Sequence, residues 1–300
     1  MDIYQDPVSR LIHLYEDGAL NRRQVVRRLA KVLGSAAAAS AALTDVGLGQ
    51  TPSSVCPADV RVAENDPGVF AERLTINGEG GPLFIYQARP ADFSQPRPAV
   101  LVIHENQGLT PYIRDVTRRV AKAGYVGIAV DLLSRQGGTD QFSTPETATA
   151  AYNRTRPEER RADMLSALET IRFQPYVRGD RLGAVGFCAG GANVYDLAIS
   201  TDRLSAAAIY YGPAPNPVDQ LSRVTAPLLL IYPELDRGTT APLANVLSTL
   251  IAGQKRYALH IYANTNHAFH NDTGARYDAG AACDAWSKTM AFFDANLNRA

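Results

Sequence analysis

A chain of 300 residues with 46% hydrophobic side chains can bury a substantial core, as one large α/β domain or two small ones. Thirty basic residues balance thirty acidic ones, so no global field draws it to nucleic acid or to an anionic membrane surface. Its three cysteines are too few for a disulfide framework and lack metal-ligand spacing, and no apolar run is long enough to span a bilayer.

Residues 1–55 differ from the rest. A polar start leads to Asn21-Arg22-Arg23-Gln24-Val25-Val26-Arg27, then to an alanine-rich, mildly apolar run over 32–43 and a loop-like 47–54. Paired arginines before a weakly hydrophobic stretch of small residues resemble a twin-arginine export signal. The same residues also read as an amphipathic helix over 22–42, packed on the domain or on a partner. Export to the periplasm would put Cys56 and Cys283 where they could pair; otherwise the chain is cytoplasmic.

From residue 60 to 300 the chain reads as one catalytic domain. Short β-branched or apolar runs at 84–88, 99–104, 126–131, 182–187, 206–211, 228–232 and 257–262 predict strands. Segments with helical apolar spacing lie among them at 112–123, 157–173, 189–199, 242–252 and 280–297. Pro157 and Pro242 sit near helix starts, and Gly124 and Gly253 just past ends. This alternation predicts an α/β fold, a mostly parallel central sheet with helices on both faces.

The most informative run is Gly186-Phe-Cys188-Ala-Gly190-Gly191, between the strand at 182–187 and the helix at 189–199. Strand, abrupt turn and helix hold the apex residue in a strained conformation and lift its side chain clear of the sheet. Glycines two positions either side avoid a collision. Alone, the pattern fits a buried structural cysteine as well as a nucleophile. Two further strand ends favour the nucleophile. The strand at 228–232 runs into Pro233-Glu-Leu-Asp236, and the strand at 257–262 into Ala263-Asn-Thr-Asn-His267. Nucleophile, acid and base then follow in the chain order of α/β-hydrolases. His267 would take the thiol proton and Asp236 would hold the imidazole tautomer.

A third strand end, Val100-Leu-Val-Ile-His104-Glu105-Asn106, follows a buried run. The backbone N–H groups of Asn106 and Ala189 are the candidate oxyanion hole. Together with Asp131-Leu-Leu-Ser-Arg135-Gln-Gly-Gly138, Tyr211-Gly212-Pro213 and His267-Ala-Phe269, these motifs resemble the dienelactone hydrolase family over most of the chain. The resemblance implies a lone α/β-hydrolase domain acting on a small ester or lactone, with Cys188, Asp236 and His267 as triad. It implies a role for Glu105 in generating the thiolate, and places Arg135 where dienelactone-cleaving members bind the substrate carboxylate.

Tyr112 and Phe269 are expected to border the pocket. Those members carry a second arginine four residues past the histidine, where this chain has Asn271; Arg276 is a candidate replacement. The alternatives are a broader carboxylesterase or thioesterase acting on neutral esters, and a binding protein on the same scaffold. No cofactor is required. His267 and His270 are spaced for metal ligation, but no third ligand joins them, so no metal is expected. No pattern assigns an oligomeric state.

Overall fold

The computed structural model describes residues 61–298 apart from Phe93, together with Leu11, Gln24, Arg27, Arg28, Lys31 and Val32. Apart from those few positions, the export signal and the packed helix over 22–42 fall on residues outside those described, as does Cys56. Cys283 is disulfide-bonded, whereas Cys188 is a free thiol.

Eight strands form one sheet: β1 Val69–Gly78, β2 Gly81–Pro90, β3 Arg97–Ile103, β4 Val126–Val130, β5 Val177–Phe187, β6 Leu204–Tyr210, β7 Leu228–Pro233 and β8 Tyr257–Tyr262. Their spatial order is β1-β2-β4-β3-β5-β6-β7-β8. The pairs β1–β2 and β2–β4 are antiparallel, and every other pair is parallel. The helices are α1 Pro111–Lys122, α2 Pro145–Tyr152, α3 Pro157–Ile171, α4 Ala189–Ser200, α5 Arg237–Thr240, α6 Leu243–Ala252 and α7 Ala279–Leu297. None of the described helices is long and apolar enough to cross a membrane.

Alternation along the strands divides the core in two. Ala99, Leu101 and Ile103 of β3 face one cluster with α2, α3, α4 and α6. Val100 and Val102 face the other, with α1 and α7. Burial on both faces explains why the central strands read as unbroken apolar runs. It also explains what sequence periodicity overlooked. β1 is an edge strand of alternating burial whose antiparallel hairpin needs no such run. The first turns of β5, Val177 to Arg181, precede a register shift and are only partly buried. α2 is announced by Thr144, which caps it, and by Pro145 at its first turn, more than by its own weak amphipathicity.

The crossing of β5 and α4 beside β3 depends on two glycines. A Cβ on Gly190 would lie 2.2 Å from the Ile103 carbonyl oxygen and 2.6 Å from that of His104. One on Gly186 would lie 2.1 Å from the Gly190 carbonyl oxygen. Because backbone rather than a flexible side chain blocks the way, Gly190→Ala is expected to cost about 3 kcal/mol or more, read as a lower urea midpoint. A midpoint equal to wild type would show that the crossing relaxes freely.

Candidate active site

Cys188 stands between β5 and α4 with φ 55° and ψ −119°, a backbone conformation L-residues rarely adopt. Its N–H donates to the Tyr210 carbonyl, 3.0 Å away, while its own carbonyl accepts from Gly191 at 2.9 Å. The turn therefore arises from glycine clearance on one side and backbone bonds on the other. Burial pushes the thiol up to about 11, and the neighbouring charges of Glu105 and Asp236 add to this. The Ala189 N–H and Arg276 oppose the rise. At neutral pH the resting group is a protonated thiol.

Asp236 and His267 meet across the ends of β7 and β8. His267 Nδ1 lies 2.5 Å from Asp236 Oδ2, which also accepts from Thr239 Oγ1 at 2.6 Å. Burial pushes the Asp236 carboxyl up, but the bonds from Thr239 and His267 outweigh it and hold the group below the usual carboxylate range. Cross-strand bonds fix the two loops to each other. The Leu235 N–H donates to Thr265 O at 3.0 Å, and the Asn264 N–H to Glu234 Oε2 at 2.8 Å. The His267 ring packs against Tyr211, with centroids 5.0 Å apart. Among the described residues, no side chain forms a hydrogen bond with the Cys188 thiol in this resting arrangement. Thr239 escaped the sequence reading; its only signal was a hydroxyl three residues after the acid, the spacing of a helix-start contact.

The loop after β3 is anchored by His104, which is fully buried. Its Nδ1 sits 2.5 Å from Glu105 O and its Nε2 accepts from the Leu132 N–H at 3.0 Å, so the ring is neutral and ties this loop to the one after β4. Among the described residues the Asn106 N–H has no backbone partner, and it stands one residue from Glu105. Glu105 is only 7% exposed. Burial lifts its carboxyl to about 7, against the opposing pull of a hydrogen bond from Asn271 and the charge of Arg276. The Asn271 Nδ2 to Glu105 Oε2 distance is 2.9 Å. Asn271 therefore serves as a neutral donor to Glu105.

The three residues expected at the substrate have the following contacts. The Arg135 guanidinium makes two bonds to the buried carboxylate of Asp163, at 2.8 and 3.1 Å, and lies against Gly80. Tyr112 is buried, and its hydroxyl lies 2.7 Å from His270 Nδ1. Phe269 is wholly buried between Tyr211 and Tyr262. Tyr112, on α1, and Phe269, in the loop after β8, both turn their rings into the apolar cluster between the sheet, α1 and α7. A cavity of about 320 Å³ opens beside the loop after β3, lined by Gln107, Leu109, Thr110, Phe142 and Pro145 among others. Another of about 530 Å³, between Arg119 and Trp286, includes neither Cys188 nor His267.

Comparison with known proteins places the chain in a family. Residues 84–297 match the dienelactone hydrolase family. A Synechocystis protein named "Putative carboxymethylenebutenolidase" is 33% identical over 241 residues, covering 75% of this chain and 96% of its own length. A Bradyrhizobium protein named "Probable 2-oxo-3-(5-oxofuran-2-ylidene)propanoate lactonase" is 30% identical over 73% of this chain and 92% of its own. The crystal structure titled as a putative dienelactone hydrolase from Klebsiella pneumoniae superposes with TM-score 0.70 at 28% identity, covering 75% of this chain and 98% of that one. With an eight-stranded, mostly parallel sheet and a sharp strand-to-helix turn already in place, the chain belongs to the dienelactone hydrolase family and is a hydrolase of the carboxylic ester class with an α/β-hydrolase fold.

Proposed function

We propose that the protein cleaves esters or lactones through a covalent acyl-thioenzyme on Cys188. The observation that carries this reading is the strained apex at Cys188, at the end of β5, while Asp236 and His267 are already paired beyond the ends of β7 and β8. A turn of the thiol toward His267 passes its proton to the imidazole, with Asp236 stabilising the cation. Sulfur then bonds to the carbonyl carbon, and the C=O electron pair moves to oxygen, held by the Ala189 and Asn106 N–H groups. Collapse expels the alkoxide, which takes the proton from His267; in a lactone it stays tethered to the acyl group. Water, deprotonated by His267, attacks the thioester and releases acid and thiol. Glu105, close enough to raise the thiol by its charge, is a second acceptor for that proton.

The substrate class that fits best is an uncharged ester. Arg135 is committed to Asp163 and Asn271 to Glu105, so neither is free to clamp a substrate carboxylate. A dienelactone bearing a carboxylate is expected to turn over at least ten-fold more slowly, in kcat/KM, than a neutral short-chain aryl ester. Prior alkylation of Cys188 should abolish both. Preference for the dienelactone would mean that another cation, Arg276 first, binds the carboxylate.

A further inference from the structure

The two edges of the sheet are finished differently. β1, at one edge, carries Glu72 and Arg73, and Arg73 reaches out to pair with Asp140. Charges of that kind keep an edge from pairing with another chain. β8, at the other edge, reads Tyr257-Ala-Leu-His-Ile-Tyr262, with no proline, lysine, arginine or carboxylate. The Arg256 and Tyr262 carbonyls accept from Leu228 and Glu234 N–H on the β7 side, at 3.0 and 2.9 Å. By alternation, Tyr257, Leu259 and Ile261 aim their N–H and C=O groups away from the sheet. Among the described residues, no hydrogen bond reaches those outward groups.

The side chains beside this edge are apolar. Tyr257 and Leu259 lean on the core cluster beneath α6, and Ile261, on the same face of the strand, is 49% exposed. On α6 the residues Leu243, Val246 and Leu250 are buried, which leaves Ala244, Leu247 and Ile251 along one flank, with Ile251 63% exposed. A right-handed β7–α6–β8 crossover, the hand such units take, turns that flank outward past β8. The other face of β8 carries polar bonds instead. The Tyr262 hydroxyl donates to Asp284 at 2.7 Å, and Asp284 also pairs with Lys288.

We propose that β8 is the seam of a homodimer. Two copies join antiparallel about a two-fold axis at Leu259, and the α6 flank of each packs on that of the other. Leu259 then faces its own counterpart, and Tyr257 faces Ile261 of the second copy, each pair exchanging two N–H···O bonds. The charges at the strand ends select this direction. Lys255 and Arg256 immediately precede β8, whereas Glu234 lies past its far end, its Oε2 accepting from the Asn264 N–H at 2.8 Å. In the antiparallel seam the basic start of each copy meets the acidic end of the other. A parallel seam would set like charges side by side. The sheet would run unbroken through both copies, and the apolar flank of α6 would leave water.

The test is sedimentation velocity of the full chain from about 1 to about 100 μM, with amide exchange measured at both ends of that range. The wild type should reach twice the chain mass, and the amides of Tyr257, Leu259 and Ile261 should exchange more slowly in the concentrated sample. Ile251→Lys combined with Ile261→Lys sets like charges in the seam and should weaken association about 100-fold or more. Both side chains are exposed, so the variant should still fold and melt as the wild-type monomer does. Glu234→Lys should also weaken the dimer, and adding Lys255→Glu and Arg256→Glu should restore it. A role confined to one copy would give no such rescue. A wild type that stays monomeric at the highest concentration overturns the proposal; slow exchange of the three amides in that monomer would show that the same chain covers the edge. A dimer indifferent to the two lysines, or charge reversal without rescue, overturns it equally.

Discussion

Replacing Cys188 with alanine is expected to lower kcat for ester hydrolysis by about 10⁵-fold while leaving the fold intact. The magnitude follows from what survives. On the proposed mechanism the Ala189 and Asn106 N–H groups would still polarise a carbonyl, and the paired His267 and Asp236 would still activate water. Such remnants sustain only slow hydrolysis, because a displacement in two easy steps has become one difficult step. The structural cost should be small. Cys188 is held by its backbone, through bonds to Tyr210 and Gly191, and alanine loses only a partly exposed sulfur. Steady-state kinetics with an aryl ester and a thermal melt check both halves. Undiminished turnover would show that the nucleophile lies elsewhere.

The second large effect is on stability. Glu105→Gln should stabilise the protein by about 3 kcal/mol above pH 8, and by little at pH 4. The Glu105 carboxyl titrates near its ordinary 4.5 when the chain is unfolded and near 7 when it is folded. The folded state therefore holds the proton more tightly. Stability associated with this group is whole below pH 4.5 and falls as pH rises through 7. At pH 8.5 the wild type carries the full cost of a buried carboxylate. A glutamine amide oxygen can still accept from Asn271 without that cost. Urea midpoints at the two pH values measure the difference. A gain equal at both would mean that relief of charge burial is not the cause. The same substitution should slow catalysis, since it removes the second proton acceptor beside the thiol. This is the expected exchange of stability for reactivity at an active site.

Much of this was legible in the sequence because the physics is local. Gly186 and Gly190 announce a turn that only glycine can clear, and the unbroken apolar runs of β3, β5, β6 and β7 announce strands buried on both faces. Chain order then placed Cys188, Asp236 and His267 after β5, β7 and β8, all at the carboxyl ends of parallel strands. What escaped was set by long-range packing. Arg135 looked free until α3 brought Asp163 against it, 28 residues further along. Asn271 looked like a missing cation until the loop after β8 folded back on Glu105, across 166 residues. Phe269 sat in a suggestive motif and Tyr112 at a helix start, yet burial is a property of the whole core and neither position reports it. Thr239 had a local signal, but a hydroxyl three residues past an aspartate is too common to single out.

The central claim is that the acyl group passes through sulfur. The most direct test is to mix the enzyme with excess neutral aryl ester, quench in acid within milliseconds, and map the added mass by peptide mass spectrometry. The acyl group should be found on the peptide carrying Cys188, approaching one per chain and vanishing as substrate is consumed. Turnover that persists after Cys188 is fully alkylated, or an acyl group on any other residue, would contradict it.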